Sequence, residues 1–195
     1  MATKTLNILV AGHDAPSARL VADGFAGAGD VRVVVVEGLE GLIPRVAALA
    51  PDAVVATLGA PDHATLEPLF RLARSGGCAV VLFADRAEPG VSALAVEAGV
   101  AAFVVDGLRP DRVRPIVETA LSRYAAFETL KRERDEARTQ LAERKLIERA
   151  KGILMQQKSL TEEQAYAALR KAAMKQGRRI ADIAQSVITA AEIEL

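Results

Sequence analysis

Five short, largely apolar runs punctuate the first half of the chain, at 6–10, 31–36, 53–56, 79–83 and 102–105. They are too short for helices and rich in Val, Ile and Leu. They run on without polar alternation, which predicts strands covered on both faces, as in a parallel sheet. Between them, 16–28, 39–49, 63–75 and 89–98 read as helices, each closed by Gly, Pro or Asp signals. Strand and helix alternating five times predict an α/β domain, a doubly wound flavodoxin-like (βα)5 unit over 1–125.

After Gly107 the texture changes. Pro110 suits the first turn of a helix, and as far as Lys158 only Pro115 and Gly152 interrupt a helical sequence. Within this long helix, Phe127, Leu130, Ala137 and Leu141 form a seam broken by Arg134 and Arg144, which predicts a dimeric coiled-coil linker over 126–143. From 144 to 195 three short amphipathic helices follow. Leu146, Ile147, Ala150, Ile153 and Leu154 share one face of the first. Thr161 and Gln164 make a capping box for the second, which turns Ala165, Leu169, Ala172 and Ala173 inward and ends at Gly177. Ile180, Ile183, Ala184, Val187, Ile188 and Ala191 line the third. The pattern predicts a C-terminal three-helix bundle. Periodicity also assigns Met155 and Met174 to its core, and Tyr166 reads as packed inside it in preference to stacking on a base.

The composition, 51% hydrophobic and 26% charged, supports a real core and excludes disorder as the main state. Cys78 is the single cysteine, so a disulfide scaffold is excluded. The longest apolar stretch, 98–105, falls far short of the roughly 18 residues of a membrane span. Lys4 precedes only a short apolar run ended by His13 and Asp14, unlike a secretory signal. A cytoplasmic protein is expected. The 25 basic and 25 acidic side chains cancel, yet residues 1–110 carry 8 against 12 and residues 111–195 carry 17 against 13. A basic second half suits either an anionic partner or a solvated helical face.

The chemistry of an enzyme is missing. His13, His63 and Cys78 do not make a zinc set. The glycine-rich stretch 24–29 follows a helix instead of a strand, so it reads as a helix end and turn and not as a phosphate cradle. Cys78 reads as an inert buried thiol. No cofactor is expected. The α/β pattern resembles the receiver domain of response regulators over about 5–125, a resemblance that implies an acidic pair, an acceptor Asp, a Ser/Thr and a Lys. Position by position, Ala11 and Gly12 replace the acidic pair, with only Asp14 nearby. Thr57 stands at the acceptor position, Ala84 at the Ser/Thr and Asp106 at the Lys. Asp52 and Asp62, the acids closest to Thr57, read as solvated loop residues. The resemblance, with those residues missing, implies a degenerate receiver.

The string Ile147-Glu148-Arg149-Ala150-Lys151-Gly152-Ile153-Leu154-Met155 is the most specific in the chain. With Thr161 to Tyr166, Leu169-Arg170, Ala173-Met174 and Ile180 to Ala184, it resembles an ANTAR domain, named for the AmiR and NasR transcription antitermination regulators. Pseudo-receiver, coiled coil and ANTAR domain in this order resemble nitrate-responsive antiterminators of the NasT type. That resemblance implies binding to paired hairpins in nascent leader RNA so that a terminator does not form. It also implies a separate nitrate/nitrite-sensing protein that sequesters the antiterminator. The seam on the long helix predicts a homodimer at least when RNA-bound.

Residues 144–195 carry 10 Lys/Arg against 6 Asp/Glu. The candidate RNA-binding residues are Arg144, Lys145, Arg149, Ala150, Lys151, Gly152, Lys158, Arg170, Lys171, Lys175, Arg178 and Arg179. Such cations would give salt-dependent phosphate affinity, and unpaired loop bases the specificity. Gly152 costs about 1 kcal/mol in a helix interior relative to Ala, so close approach by RNA backbone or by a neighbouring helix is expected there, and Ala150 shares that ambiguity. The competing expectations are a non-phosphorylated adaptor whose helical tail binds a protein, and a DNA-binding regulator.

Overall fold

In a computed structural model, residues 5–193 are described; Lys4 and the last two residues of the predicted bundle lie outside that range. Two compact units emerge, 1–128 and 129–195.

In the first unit, β1 (Leu6–Gly12), β2 (Val31–Glu37), β3 (Ala53–Leu58), β4 (Ala79–Ala84) and β5 (Ala102–Val105) form one parallel sheet in the order β2-β1-β3-β4-β5. The central strands β3 and β4 are buried along their whole length, which is why their sequences are unbroken apolar runs. Helices α1 (Ala15–Asp23), α2 (Leu42–Leu49), α3 (His63–Ser75) and α4 (Val91–Glu97) connect them. Both sheet faces are covered. Leu9, Val54, Ala56, Val80 and Leu82 pack with Leu66, Leu69 and Phe70 of α3 on one side. On the other, Ile8, Val10, Val55, Val81 and Phe83 meet Val21 and the start of α5 (Pro110–Lys158) at Val113, Val117 and Ala120.

Helix α1 is shorter than the predicted 16–28. It stops at Asp23, Gly24 caps it, and the chain turns through Gly27 at φ +80°, so the glycine-rich stretch is a helix end and turn. Helix α5 (Pro110–Lys158) runs 49 residues without interruption at Pro115.

In the second unit, the end of α5 packs with α6 (Glu162–Gln176) and α7 (Ile180–Ile193) around Ala150, Leu154, Ala165, Leu169, Ala173, Ile183, Ala184 and Ile188. The Thr161 hydroxyl accepts from the Gln164 N–H, while the Gln164 side chain accepts from the Thr161 N–H; Gly177, at φ +61°, closes α6. These caps satisfy the helix-end groups that a tight three-helix unit would otherwise leave unpaired.

Candidate nucleic-acid interface and the degenerate receiver edge

The receiver-like edge has lost more than its carboxylates. At Gly12 a Cβ would sit 2.5 Å from the Ala18 Cβ and 2.8 Å from the Asp14 carbonyl oxygen. Helix α1 therefore closes the place where a receiver carries an acid. Asp14 is occupied as the N-cap of α1. It accepts from the Ser17 N–H at 2.7 Å, lies 3.1 Å from His13 Nε2, and the Ser17 hydrogen bonds hold its carboxyl below the usual carboxylate range. Thr57, at the end of β3, is buried, and its hydroxyl makes no hydrogen bond among the described residues. Ala84 is buried beside it in register with Leu58. Asp106 sits after β5 at φ +50°, a conformation Asp tolerates better than most residues.

Of the two other acids, Asp62 is an exposed loop residue as expected, whereas Asp52 is less solvated than expected. Asp62 caps α3, accepting from the Thr65 N–H and hydroxyl. Asp52 is half-buried and accepts from the Asn7 N–H at 2.9 Å. Cys78 is buried, and burial pushes its thiol up to about 11, as expected for an unreactive side chain. No group of three or more His, Cys, Asp or Glu among the described residues is placed to hold a metal.

In the helical unit, the predicted basic residues separate into two sets. The first set is engaged inside the unit. Lys151 is nearly buried, and its ammonium donates to Glu148 at 2.8 Å and to Glu162 at 2.7 Å. The two carboxylates raise the lysine above its ordinary value, and Lys151 in turn lowers Glu162. Arg149 pairs with Glu192, and Arg179 with Glu143 and Asp182. Arg178 donates to the Asp182 carbonyl and the Ser186 hydroxyl. The second set, Arg144, Lys145, Lys158, Arg170, Lys171 and Lys175, is exposed and makes no ion pair or hydrogen bond among the described residues.

Several residues are placed differently from the sequence expectation. Ala150 is fully buried in the bundle core, because its α5 face is the one that meets Leu169 and Ala184; it presents no surface to RNA. Lys151 ties α5 to the start of α6 through Glu162 and does not reach outward. Met155, Met174 and Tyr166, read as core, are 39%, 75% and 45% exposed. The inward face of α6 is made of Ala165, Leu169 and Ala173, with Ala172 packed against the same cluster. The larger side chains are left on the flank. Around Gly152 nothing lies within 4 Å of where a Cβ would be, so no neighbouring helix of the described chain requires a glycine.

The acidic partners Glu143, Glu148, Glu162, Asp182 and Glu192 were not singled out from sequence. The spacing of Glu148 and Lys151, three residues apart on one helix, was the available signal.

A parallel receiver-like unit is followed by a capped helical bundle, and comparison with known proteins finds likenesses for both. Residues 135–188 match the ANTAR domain model. The transcriptional regulatory protein PdtaR of Mycobacterium tuberculosis is 26% identical over 138 residues, covering 71% of this chain and 67% of that protein. The nitrate regulatory protein of Klebsiella oxytoca is 51% identical over 49 residues, 25% of this chain and 12% of that protein.

Among solved structures, a CheY-like response regulator receiver domain protein from Methanospirillum hungatei aligns with TM-score 0.54 at 14% identity. The alignment covers 63% of this chain and 98% of that one. A response regulator from Thermotoga maritima aligns with TM-score 0.52 at 13% identity, covering 60% and 98%. These two likenesses show the receiver fold.

Proposed function

We propose that the chain is a non-enzymatic transcription antiterminator that acts in the cytoplasm. Its ANTAR unit, over about 144–195, binds hairpins in nascent leader RNA and prevents a terminator from forming. The observation that carries this reading is the second set of cations. Among the described residues, Arg144, Lys145, Lys158, Arg170, Lys171 and Lys175 are exposed and unpaired, in a unit whose other candidate cations are already matched with carboxylates or backbone and hydroxyl oxygens. Unpaired surface cations release counterions when phosphates replace them, and this drives salt-dependent nucleic-acid binding.

The pseudo-receiver over 1–125 takes no phosphoryl group. Control comes instead through a partner protein that senses nitrate or nitrite and sequesters the chain. The 49-residue likeness to the nitrate regulatory protein supports the nitrate part of that reading. The linker over 126–143 dimerises the chain through Phe127, Leu130, Ala137 and Leu141, all of which face solvent on α5.

The test is a salt titration of the full chain against its own leader RNA, a duplex DNA of the same sequence and an unrelated RNA duplex. Preferential, steeply salt-dependent binding to leader RNA is expected. Preference for the duplex DNA would replace this reading with a DNA-binding regulator, and binding to none of the three would favour a protein-binding adaptor.

A further inference from the structure

The unit from 144 onward contains one aromatic residue, Tyr166, and the fold leaves it outside the core. The residue is 45% exposed, and neither ring nor hydroxyl has a partner among the described residues. Tyr166, Arg170 and Met174 follow at four-residue spacing on α6, so they lie along one stripe beside the buried line Ala165, Leu169, Ala173. Met174 is 75% exposed, and Arg170 has no partner among the described residues. No Asp or Glu occurs between Glu163 and Asp182, whereas Arg170, Lys171, Lys175, Arg178 and Arg179 all fall there. The stripe is therefore an aromatic and a thioether set in an acid-free, basic stretch.

We propose that Tyr166 is the platform on which an unpaired RNA base stacks, with Arg170 holding a phosphate one helical turn away and Met174 closing the apolar flank. This rests on the RNA-binding reading above and adds to it the residue that tells loop from stem. A paired A-form stem hides its bases in a narrow groove and offers an aromatic ring nothing to stack on, whereas a splayed loop base does. A tyrosine with no internal partner can meet such a base without first breaking a contact. The neighbouring Arg170 and Lys171 supply the backbone charge that a purely apolar protein partner would leave unused.

The experiment uses the full chain and two probes: hairpin RNAs with a fixed stem and a randomised loop, enriched on the wild-type chain, and the same stem as a blunt duplex. The enriched loop also carries 2-aminopurine at successive positions. Tyr166→Ala is expected to weaken loop binding about tenfold to hundredfold. It should leave duplex affinity and the melting curve unchanged, and abolish the fluorescence quench at one loop position. Tyr166→Phe is expected to bind as the wild type.

Loop affinity of Tyr166→Ala within about twofold of the wild type would overturn the proposal and leave the stripe as a protein-binding surface. Equal losses in Tyr166→Phe and Tyr166→Ala would overturn stacking in favour of a hydroxyl hydrogen bond. Loss of duplex binding together with a lowered melting curve would overturn it in favour of a structural role. If the wild-type chain enriches no loop at all, the RNA reading itself fails, an outcome distinct from these three.

Discussion

Replacing Gly152 by alanine separates what the glycine costs the fold from what it offers a partner. Gly152 lies inside α5 with no positive φ, and an added Cβ meets open space. The substitution therefore brings no clash within the described chain, and the helix-propensity difference applies nearly undiminished, a gain of about 1 kcal/mol. The residue belongs to the unit 129–195. For a unit of that size, 1 kcal/mol moves a melting midpoint by roughly 4–8 °C.

The assay is thermal melting of the full chain by circular dichroism, with amide exchange of α6 and α7 assigning the transition to the helical unit. A higher midpoint with weaker leader-RNA binding is expected, because the methyl group fills the space through which the RNA backbone approaches. A lowered midpoint would refute the reasoning, since it requires a neighbour that the structure does not contain. A raised midpoint with unchanged RNA affinity would show that the glycine is not held for RNA.

Four further outcomes are expected. Leu169→Ala, at a site only 1% exposed, should cost about 2–5 kcal/mol and erase the cooperative exchange protection of α6 and α7 while leaving the β-sheet amides protected. Lys151 is raised and Glu162 lowered by their pairing, so their contribution is complete at neutral pH. It should fade as pH falls through the lowered glutamate value or rises through the raised lysine value; a melting midpoint of the helical unit that is flat across both limbs would contradict the pairing. Leu141→Glu should turn any dimer seen by sedimentation into a monomer, and an unchanged sedimentation profile would place the seam elsewhere. Incubation with acetyl phosphate and Mg²⁺ should leave the mass unchanged, and a stable adduct on the first unit would contradict the closed edge at Gly12.

Much of the architecture was legible in the residues because backbone rules dominate it. The unbroken apolar runs specify a two-sided parallel sheet, and the observed strand order is the flavodoxin-like one. The Thr161–Gln164 box and Gly177 fix the ends of α6 within a residue, since capping chemistry is local. The site was less legible. Periodicity says which side of a helix faces inward, but it does not say which of two large side chains the space admits, so Tyr166, Met155 and Met174 were misplaced. Charge counting likewise treats every cation as available. Lys151, Arg149 and Arg179 find their carboxylates on other helices or across a turn, and those pairings depend on tertiary distances that no local pattern encodes.

The central claim is tested most directly by single-round transcription through the leader terminator with purified full-length chain. Read-through is expected to rise with protein concentration over the range that saturates the leader RNA, and to be reduced by Arg170→Ala combined with Lys171→Ala in a chain that still melts normally. Termination that stays constant while the leader RNA is fully bound would contradict it.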